Sequence, residues 1–546
     1  MTGAQALLKA LQEVGCDYLF GLPGTTVVPI LDVLPDFPKC KYILTLQEAV
    51  AVAMADGYTK ATGRIGVVNL YNSVGTFNAL VGIYNAYRDN TPIVVTAGDK
   101  DSRLLGREGF CVLQGLTDLV RPVTKWSWTV SDSSQIVRDF YRAVKIATSP
   151  PCGPVYLAIP ENFLIGEYTQ EFPKARGLTS VHSVIVPSKR IIEEVAIVLT
   201  SALRPVLVAG SEVATYDAYS EMIELAEICG APVFHEPGLS TTSNAFPQDH
   251  PHYLGFYNYE NAFIKEADVI FFVGGKVFLE FNYPYVPEIP DTAKVIHLHP
   301  NSDELAKLYP TDYPLLGHIK ESLKELLIMI KKVSGYSGRK HKDHYFSYLF
   351  QDQRRPYPLE PMNDENCVSS ESLVKEMANI FDPNTIIVDE GILSSFSLLS
   401  YYRFTKPRTY YHTCGGGLGW GIPVALGISL AKPENKVVAF VGDGSALFTI
   451  QALWTAAHYN IPVLIIVCHN KSYKAVYAAL RERREKALKN SSYVGCTINN
   501  PPVDFVSLAK GFGVEAVSVY TDKEIRKALE HAVGLKKPYL VEVHVS

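Results

Sequence analysis

No Cys-x-x-Cys pair occurs in this chain, although it carries nine cysteines, at positions 16, 40, 111, 152, 229, 367, 414, 468 and 496. Scattered in this way they supply neither zinc-ligand spacing nor a disulfide framework, and a reducing cytoplasm is the expected compartment. No apolar run is long enough to span a bilayer. Residues 1–11 read as an amphipathic helix with no basic stretch ahead of an apolar core, so neither a membrane span nor a secretory leader is expected. Charge of one sign is also scarce: the formal net charge is −5 over 546 residues, too small at this length to suggest a nucleic-acid partner or an acidic tail. Low-complexity tracts and short-period repeats are missing too. What remains is an ordinary globular composition, 47% hydrophobic and 20% charged, suited to small-molecule chemistry in about three or four domains.

The pattern along the chain predicts an α/β protein of three domains, each a mostly parallel sheet flanked by helices. In residues 1–170, apolar strands at 18–20, 66–70, 91–96 and 155–159 alternate with helical patterns. A polar stretch with Pro173, Gly177 and Pro187 reads as a linker. A second block, 185–332, has strands at 205–209, 231–234, 269–273 and 294–298, with helices near 190–202 and 217–229. Residues 333–365 carry Arg339, Lys340, Lys342, Arg354 and Arg355 and read as a solvated linker. The third domain is expected over 366–546.

The third domain holds the most telling local pattern. A strand at 436–441 runs into Gly442-Asp443-Gly444-Ser445, a helix is expected from about Ala446 to His458, and a second apolar strand at 461–467 ends at Asn470. This is a βαβ unit, so its strands are parallel and Asp443 and Asn470 emerge together at their carboxyl ends, where open α/β sheets bind ligands. Mg²⁺ takes hard oxygen ligands in an octahedron and commonly shares them with phosphates. The Asp443 carboxylate, the Asn470 side-chain carbonyl and the Ser472 main-chain carbonyl would leave positions for diphosphate oxygens and water. The glycines let backbone N–H groups approach the phosphates. Gly-Asp-Gly alone would be an ordinary strand-to-helix turn; with the helix, the second strand and Asn470 in place it predicts a metal–diphosphate site, and thiamine diphosphate (ThDP) is the leading cofactor.

Activating that cofactor requires a carboxylic acid that shares a proton with N1′ of its aminopyrimidine. Glu48 opens a helix otherwise made of small apolar residues (Ala49, Val50, Ala51, Val52, Ala53), with no Lys or Arg within a turn. Burial there favours a shared proton. A first-turn glutamate favoured by the helix dipole is the alternative reading.

Six motifs now occur in order: Gly21-Leu-Pro-Gly24-Thr25; Leu46-Gln-Glu48-Ala with Ala55-Asp-Gly-Tyr58; Gly75-Thr-Phe-Asn78; Arg121-Pro with Thr124-Lys-Trp126; Gly415-Gly-Gly-Leu-Gly419; and the unit from Gly442 to Tyr473. Through them the chain resembles, from end to end, the ThDP-dependent 2-oxoacid decarboxylase and acetolactate synthase superfamily, benzoylformate decarboxylases above all. The resemblance implies pyrimidine-binding, middle and diphosphate-binding domains. It also implies a homodimer or homotetramer, with Glu48 of one chain facing the cofactor anchored by a second copy. By position, the Gly416 carbonyl would accept a hydrogen bond from the cofactor's 4′-amino group and Leu418 would support the bent cofactor from below. Asn78 either shapes the cofactor loop or caps a helix.

The pattern also departs from benzoylformate decarboxylases, which place a serine and two histidines where this chain has Thr25, Tyr71 and Phe281. Thr25 and Tyr71 retain hydroxyl donors, but a phenol is a poor proton shuttle at neutral pH, and Phe281 offers no donor. The pocket is therefore expected to be more apolar, which still favours CO₂ loss by dispersing charge. Lys474 stands where glycine is common, and Ile392-Leu393 replace hydroxyl residues near the diphosphate, with Ser394 and Ser395 as nearby substitutes. Lys276 lies where flavin-containing synthases use arginine, but it is read as an exposed strand-end lysine, and FAD is not expected. Residues 480–500, with Arg481, Arg483, Arg484, Lys486 and Lys489, form either a lid or a solvated helical face. The leading expectation is a Mg²⁺- and ThDP-dependent decarboxylase for 2-oxoacids with apolar or aromatic side chains, forming a C2 adduct and releasing an aldehyde. A carboligase or lyase of acetolactate synthase or benzaldehyde lyase type is the alternative enzyme, and a cofactor-binding regulatory protein is the alternative outside catalysis.

Overall fold

A computed structural model describes residues 1–175, 177–181, 184–281, 288–333, 367–483 and 493–546. Most of the charged stretch 333–365, and Arg484, Lys486 and Lys489 of the candidate lid, lie outside the described residues. The chain forms two compact units, one of residues 1–181, 359–401 and 415–546, the other of 182–358 and 402–414.

In the first unit, six parallel strands line up in the order Lys41–Leu44, Tyr18–Gly21, Gly66–Tyr71, Ile93–Asp99, Val155–Pro160, Trp126–Thr129. The inner strands are almost wholly buried because their Val, Ile and Leu runs are covered on both faces. Leu7, Leu8 and Leu11 of the helix Gly3–Glu13 and Phe140 and Val144 of Ile136–Thr148 share one core with Val67, Val94 and Leu157. A further sheet of this unit has the strands Ile386–Glu390, Val437–Gly442, Val463–His469, Tyr539–His544 and Glu515–Val519 side by side, all parallel.

Two helices join these sheets. Glu48–Thr62 crosses Gly421–Ala431, and the crossing depends on glycine: a Cβ on Gly427 would fall 2.0 Å from the Met54 carbonyl oxygen, and one on Gly57 would fall 2.3 Å from that of Val424. Gly421–Ala431 is apolar all round, as a helix buried on every side must be. One polar tie completes the contact: the Trp420 indole donates to Asp56 at 2.6 Å, and Asp56 and Asp89 share the buried Lys60 ammonium.

The second unit holds six parallel strands in the order Tyr313–Leu316, Lys294–His299, Val269–Val273, Pro205–Ala209, Val233–His235, Tyr253–Phe256. The helices Lys189–Ser201, Tyr219–Cys229 and Ile319–Val333 pack Leu199, Leu225 and Leu323 against Leu207 and Phe271. In the sheets of residues 18–160 and 205–316, four strands, Lys41–Leu44, Trp126–Thr129, Tyr253–Phe256 and Tyr313–Leu316, have no counterpart in the strand pattern read from sequence, and in the sheet that holds Val437–Gly442 the strands Ile386–Glu390, Glu515–Val519 and Tyr539–His544 have none either. The first four are sheet edges, half-exposed along their length, and so lack the continuous apolar run that marks an inner strand, whereas Ile386–Glu390 and Tyr539–His544 are buried inner strands whose runs are broken by Asp389, Glu390 and Glu542. Among the described residues no helix is long and apolar enough to cross a membrane.

Candidate functional site

The strands Val437–Gly442 and Val463–His469 pair in parallel with Gly442 opposite Cys468, which brings Asp443 and Asn470 together as the spacing predicts. Asp443 is 2% exposed. Its carboxylate accepts three backbone N–H groups, from Gly444 at 2.8 Å, Asn470 at 3.0 Å and Lys471 at 2.6 Å. Burial nevertheless pushes its pKa up, because the hydrogen bonds do not replace the lost hydration. A buried carboxylate in this condition suits a bound cation. Asn470 Oδ1 accepts from Ser472 N–H at 3.0 Å, so the turn that carries Ser472 is held by the same side chain. Gly444 is required by Tyr473, since a Cβ would lie 2.6 Å from its ring.

The helix expected from Ala446 to His458 is in fact two, Asp443–Leu447 and Ala452–His458. Asp443 thus sits in a helical first turn, and Ser445 is buried within it. The break coincides with Thr449, whose hydroxyl leaves the helix to donate to the Gly419 carbonyl at 2.7 Å. That bond fixes one end of the glycine-rich turn. At the other end, the Asn85 side chain clasps Gly417, donating to its carbonyl at 2.8 Å and accepting its N–H at 3.0 Å. Just before the clasped Gly417, Gly416 has φ +74° and no atom within 4 Å of where a Cβ would stand, and Leu418, between the two fixed glycines, is half-buried. The nearest atom to a Cβ on Gly442 would be 3.7 Å away. Backbone open at these glycines, beside a buried carboxylate and an asparagine, fits a metal-bound diphosphate.

Glu48 begins the helix Glu48–Thr62 and is 6% exposed. Its Oε2 accepts from Asn78 Nδ2 at 3.0 Å. Asn78 therefore is not a helix cap: it lies inside Asn72–Arg88, six residues past its first, and faces Glu48 across the helix pair. Gly75, one turn earlier, packs against that carboxyl, since a Cβ there would lie 3.2 Å from Glu48 Oε1 and 3.6 Å from Tyr71 Cβ. Glu48 and Tyr71 thus both pack around Gly75. Thr25 stands beside Tyr71, because Gly24 lies flat on the Tyr71 ring, where a Cβ would be 2.2 Å from Cδ2. Phe281 belongs to the second unit and is 80% exposed.

Several groups escaped sequence reasoning. Lys100 reaches Thr25 and Tyr71 from a neighbouring strand. Glu390 is buried, accepts from Trp420 and Gly421 N–H at 3.0 and 2.9 Å, and burial raises its pKa to about 7. Only its place before Gly391 hinted at a strand end. Lys474, read from sequence only as standing where glycine is common, is half-buried; burial lowers its pKa against the pull of the nearby Asp443 charge, so an ammonium stands close to the Asp443 carboxylate. Ser395 donates to Asp389 at 2.7 Å, and buried Ser394 lies 3.3 Å from the Ser370 hydroxyl, so both hydroxyls are engaged within the chain. Ile392, at φ +56°, is exposed at the tip of that turn. Lys276 is not an exposed lysine: the turn at Gly274 (φ +65°) folds it inward, its N–H meets Glu236 at 3.0 Å and its ammonium lies 2.9 Å from Cys414 Sγ.

An open parallel sheet with a diphosphate-shaped turn in one domain and a buried glutamate in another defines a cofactor enzyme of the thiamine class. Models of thiamine pyrophosphate enzymes match the chain in order: the N-terminal TPP binding domain over residues 1–117, the central domain over 192–326 and the C-terminal TPP binding domain over 393–543. The chain is 31% identical to the acetolactate synthase large subunit of Buchnera aphidicola subsp. Schlechtendalia chinensis, over 100% of this chain and 94% of that protein. It is 29% identical to benzoylformate decarboxylase of Pseudomonas aeruginosa, over 98% of each. The solved structure of the thiamine diphosphate-dependent 4-hydroxybenzoylformate decarboxylase of Rhodococcus jostii RHA1 superposes with a TM-score of 0.88 at 30% identity, covering 100% of this chain and 99% of that one. The chain belongs to the thiamine pyrophosphate enzyme family, whose members among these relatives include decarboxylases and acetolactate synthases.

Proposed function

We propose that this protein is a Mg²⁺- and ThDP-dependent decarboxylase of 2-oxoacids with an apolar or aromatic side chain. The observation that carries the reading is the Glu48 carboxyl, buried and hydrogen-bonded to the neutral amide of Asn78. A protein that only bound cofactor would have no use for it. When bound, ThDP supplies the carbon nucleophile and electron sink for loss of CO₂. Glu48 holds and shares the proton at the cofactor's N1′. Asp443, Asn470 and the Ser472 main-chain carbonyl hold Mg²⁺, while Gly442, Gly444, Ser445 and Tyr473 shape the diphosphate cradle. The Gly416 carbonyl orients the 4′-amino group, and Leu418 supports the thiazolium ring. Thr25 and Tyr71 orient the substrate through their hydroxyls. The aromatic substrates named in the decarboxylase relatives support the choice of side chain.

The working form is a homodimer or homotetramer with each site shared between copies. Val74, Phe77 and Val81 support it: they are exposed at helical spacing on the helix that carries Asn78. Mixing inactive Glu48→Gln chains with inactive Asp443→Ala chains should restore activity, because mixed assemblies contain intact sites. Incubating the purified protein with ThDP, Mg²⁺ and a panel of aryl and alkyl 2-oxoacids should release CO₂ and the aldehyde. A carboligase is the second reading, favoured by Tyr71 standing where a proton-shuttling histidine would help release aldehyde; it would give 2-hydroxyketone or acetohydroxyacid instead. Absence of both products across the panel would reject the enzymatic assignment.

A further inference from the structure

Lys100 stands just past the strand Ile93–Asp99, whose end is pinned to the turn after Tyr18–Gly21 by the Thr26 hydroxyl donating to the Gly98 carbonyl. Gly98 permits this contact, since a Cβ would lie 2.6 Å from Val27 Cγ1. The strand Gly66–Tyr71 runs between these two, with Tyr71 opposite Gly98 and Asn69 opposite Gly21. Three polar side chains from three adjacent parallel strands therefore converge at the carboxyl edge of the sheet. The Lys100 ammonium is 3.4 Å from Thr25 Oγ1 and 5.7 Å from the centre of the Tyr71 ring. Neither contact neutralises its charge. The carboxylate next in sequence, Asp99, accepts the Lys100 backbone N–H at 2.8 Å; burial raises its pKa while the Lys100 charge pulls it back, but among the described residues the two side chains form no ion pair. Asp101 is paired with Arg103. Tyr71 also adjoins Glu48 across Gly75, so the ammonium lies against a residue that neighbours Glu48.

We propose that Lys100, flanked by the Thr25 and Tyr71 hydroxyls, is the cation that binds the substrate's carboxylate and sets the preference for 2-oxoacids over neutral carbonyl compounds. This rests on the 2-oxoacid reading above and deepens it: Lys100 is a specificity-determining residue. Its kinetic signature follows from the fate of the charge. A cation on the reacting carboxylate stabilises the bound acid at least as well as the transition state, in which that charge disperses, so its loss raises KM and does not lower kcat.

The test uses the full chain loaded with ThDP and Mg²⁺, in wild-type, K100M and K100R forms. Calorimetric titration with ThDP comes first, and its failure would strike the cofactor reading and not this one. Benzoate, an unreactive monocarboxylate, is then titrated in, with benzamide as its neutral counterpart. K100M should weaken benzoate binding by about ten- to a hundredfold, the range of a charge-assisted hydrogen bond. K100R should restore most of it, and benzamide binding should not change. For whichever 2-oxoacid is turned over, K100M should raise KM by a similar factor with kcat within about threefold. Equal benzoate binding by wild type and K100M, no benzoate binding by the wild-type holoprotein, or a fall in kcat at unchanged KM would each overturn the assignment.

Discussion

Replacing Asp443 by alanine separates its two tasks, holding a turn and holding a metal. The carboxylate satisfies three backbone N–H groups, of Gly444, Asn470 and Lys471, and sits almost fully buried. A buried donor left without acceptor costs about 1–3 kcal/mol. Asn470 and Lys471 lie nearer solvent and recover part of this through water, so the loss for the three together should be about 2–4 kcal/mol, a fall of several degrees in the melting temperature of the cofactor-free protein. The second effect is the loss of cofactor stabilisation. At a ligand concentration about 100 times Kd, binding adds about 2.7 kcal/mol to the wild type, and Asp443→Ala should show almost none of it. Differential scanning fluorimetry with and without ThDP and Mg²⁺ reads both. Acidification gives an independent check. Because burial raises the Asp443 pKa in the folded state, this group adds stability as pH falls, while protonation removes its affinity for a cation. The ThDP-induced shift should therefore shrink toward low pH even though Asp443 itself favours the folded state there. An undiminished ThDP-induced shift in Asp443→Ala would refute the metal-site assignment.

Glu48→Gln should lower turnover by about two orders of magnitude or more with ThDP affinity within a few-fold of wild type, as measured by steady-state kinetics beside calorimetry. Gly75→Ala should also lower kcat, because its methyl group comes within 3.2 Å of Glu48 Oε1; alanine favours a helix over glycine by about 0.5–1 kcal/mol, so a melting temperature that does not fall will separate displacement of Glu48 from unfolding. Lys60→Met should cost about 3–5 kcal/mol, since it strands Asp56 and Asp89 in the core, with chemical denaturation as the measure. The Lys60 pKa is raised from 10.5 to about 12, which contributes about 2 kcal/mol of stability, fully present below pH 10.5 and lost as pH rises through 12; denaturation midpoints that stay flat from pH 10 to 12 would contradict it.

The turn that brings Asp443 to Asn470 was legible because every part of it lies in one short stretch. Once Val437–Gly442 and Val463–His469 are read as parallel strands joined by helices, chain geometry alone brings Asp443 to Asn470. Most inner strands were legible for a similar reason, as unbroken Val, Ile and Leu runs reveal burial on both faces; Ile386–Glu390 and Tyr539–His544, whose runs carry buried acids, were not. Edge strands such as Trp126–Thr129 were not, since a strand with one side exposed has the composition of a loop. Asn78 shows a different limit. Its sequence context left it either shaping the cofactor loop or capping a helix, and only the helix beginning at Asn72 put it in the interior, where its amide reaches Glu48.

From sequence alone follow the class of chemistry, the βαβ anchor and the need for a buried acid, because each depends on residue type and local spacing. Tertiary structure alone decided which distant side chains come together. Lys100 meets Thr25, 75 residues away, and Tyr71, because sheet order places three strand ends side by side. Asp56 meets Trp420, 364 residues away, because glycines let two helices cross closely. Strand order and helix crossings are settled by how faces pack together, and no local periodicity in the chain encodes them.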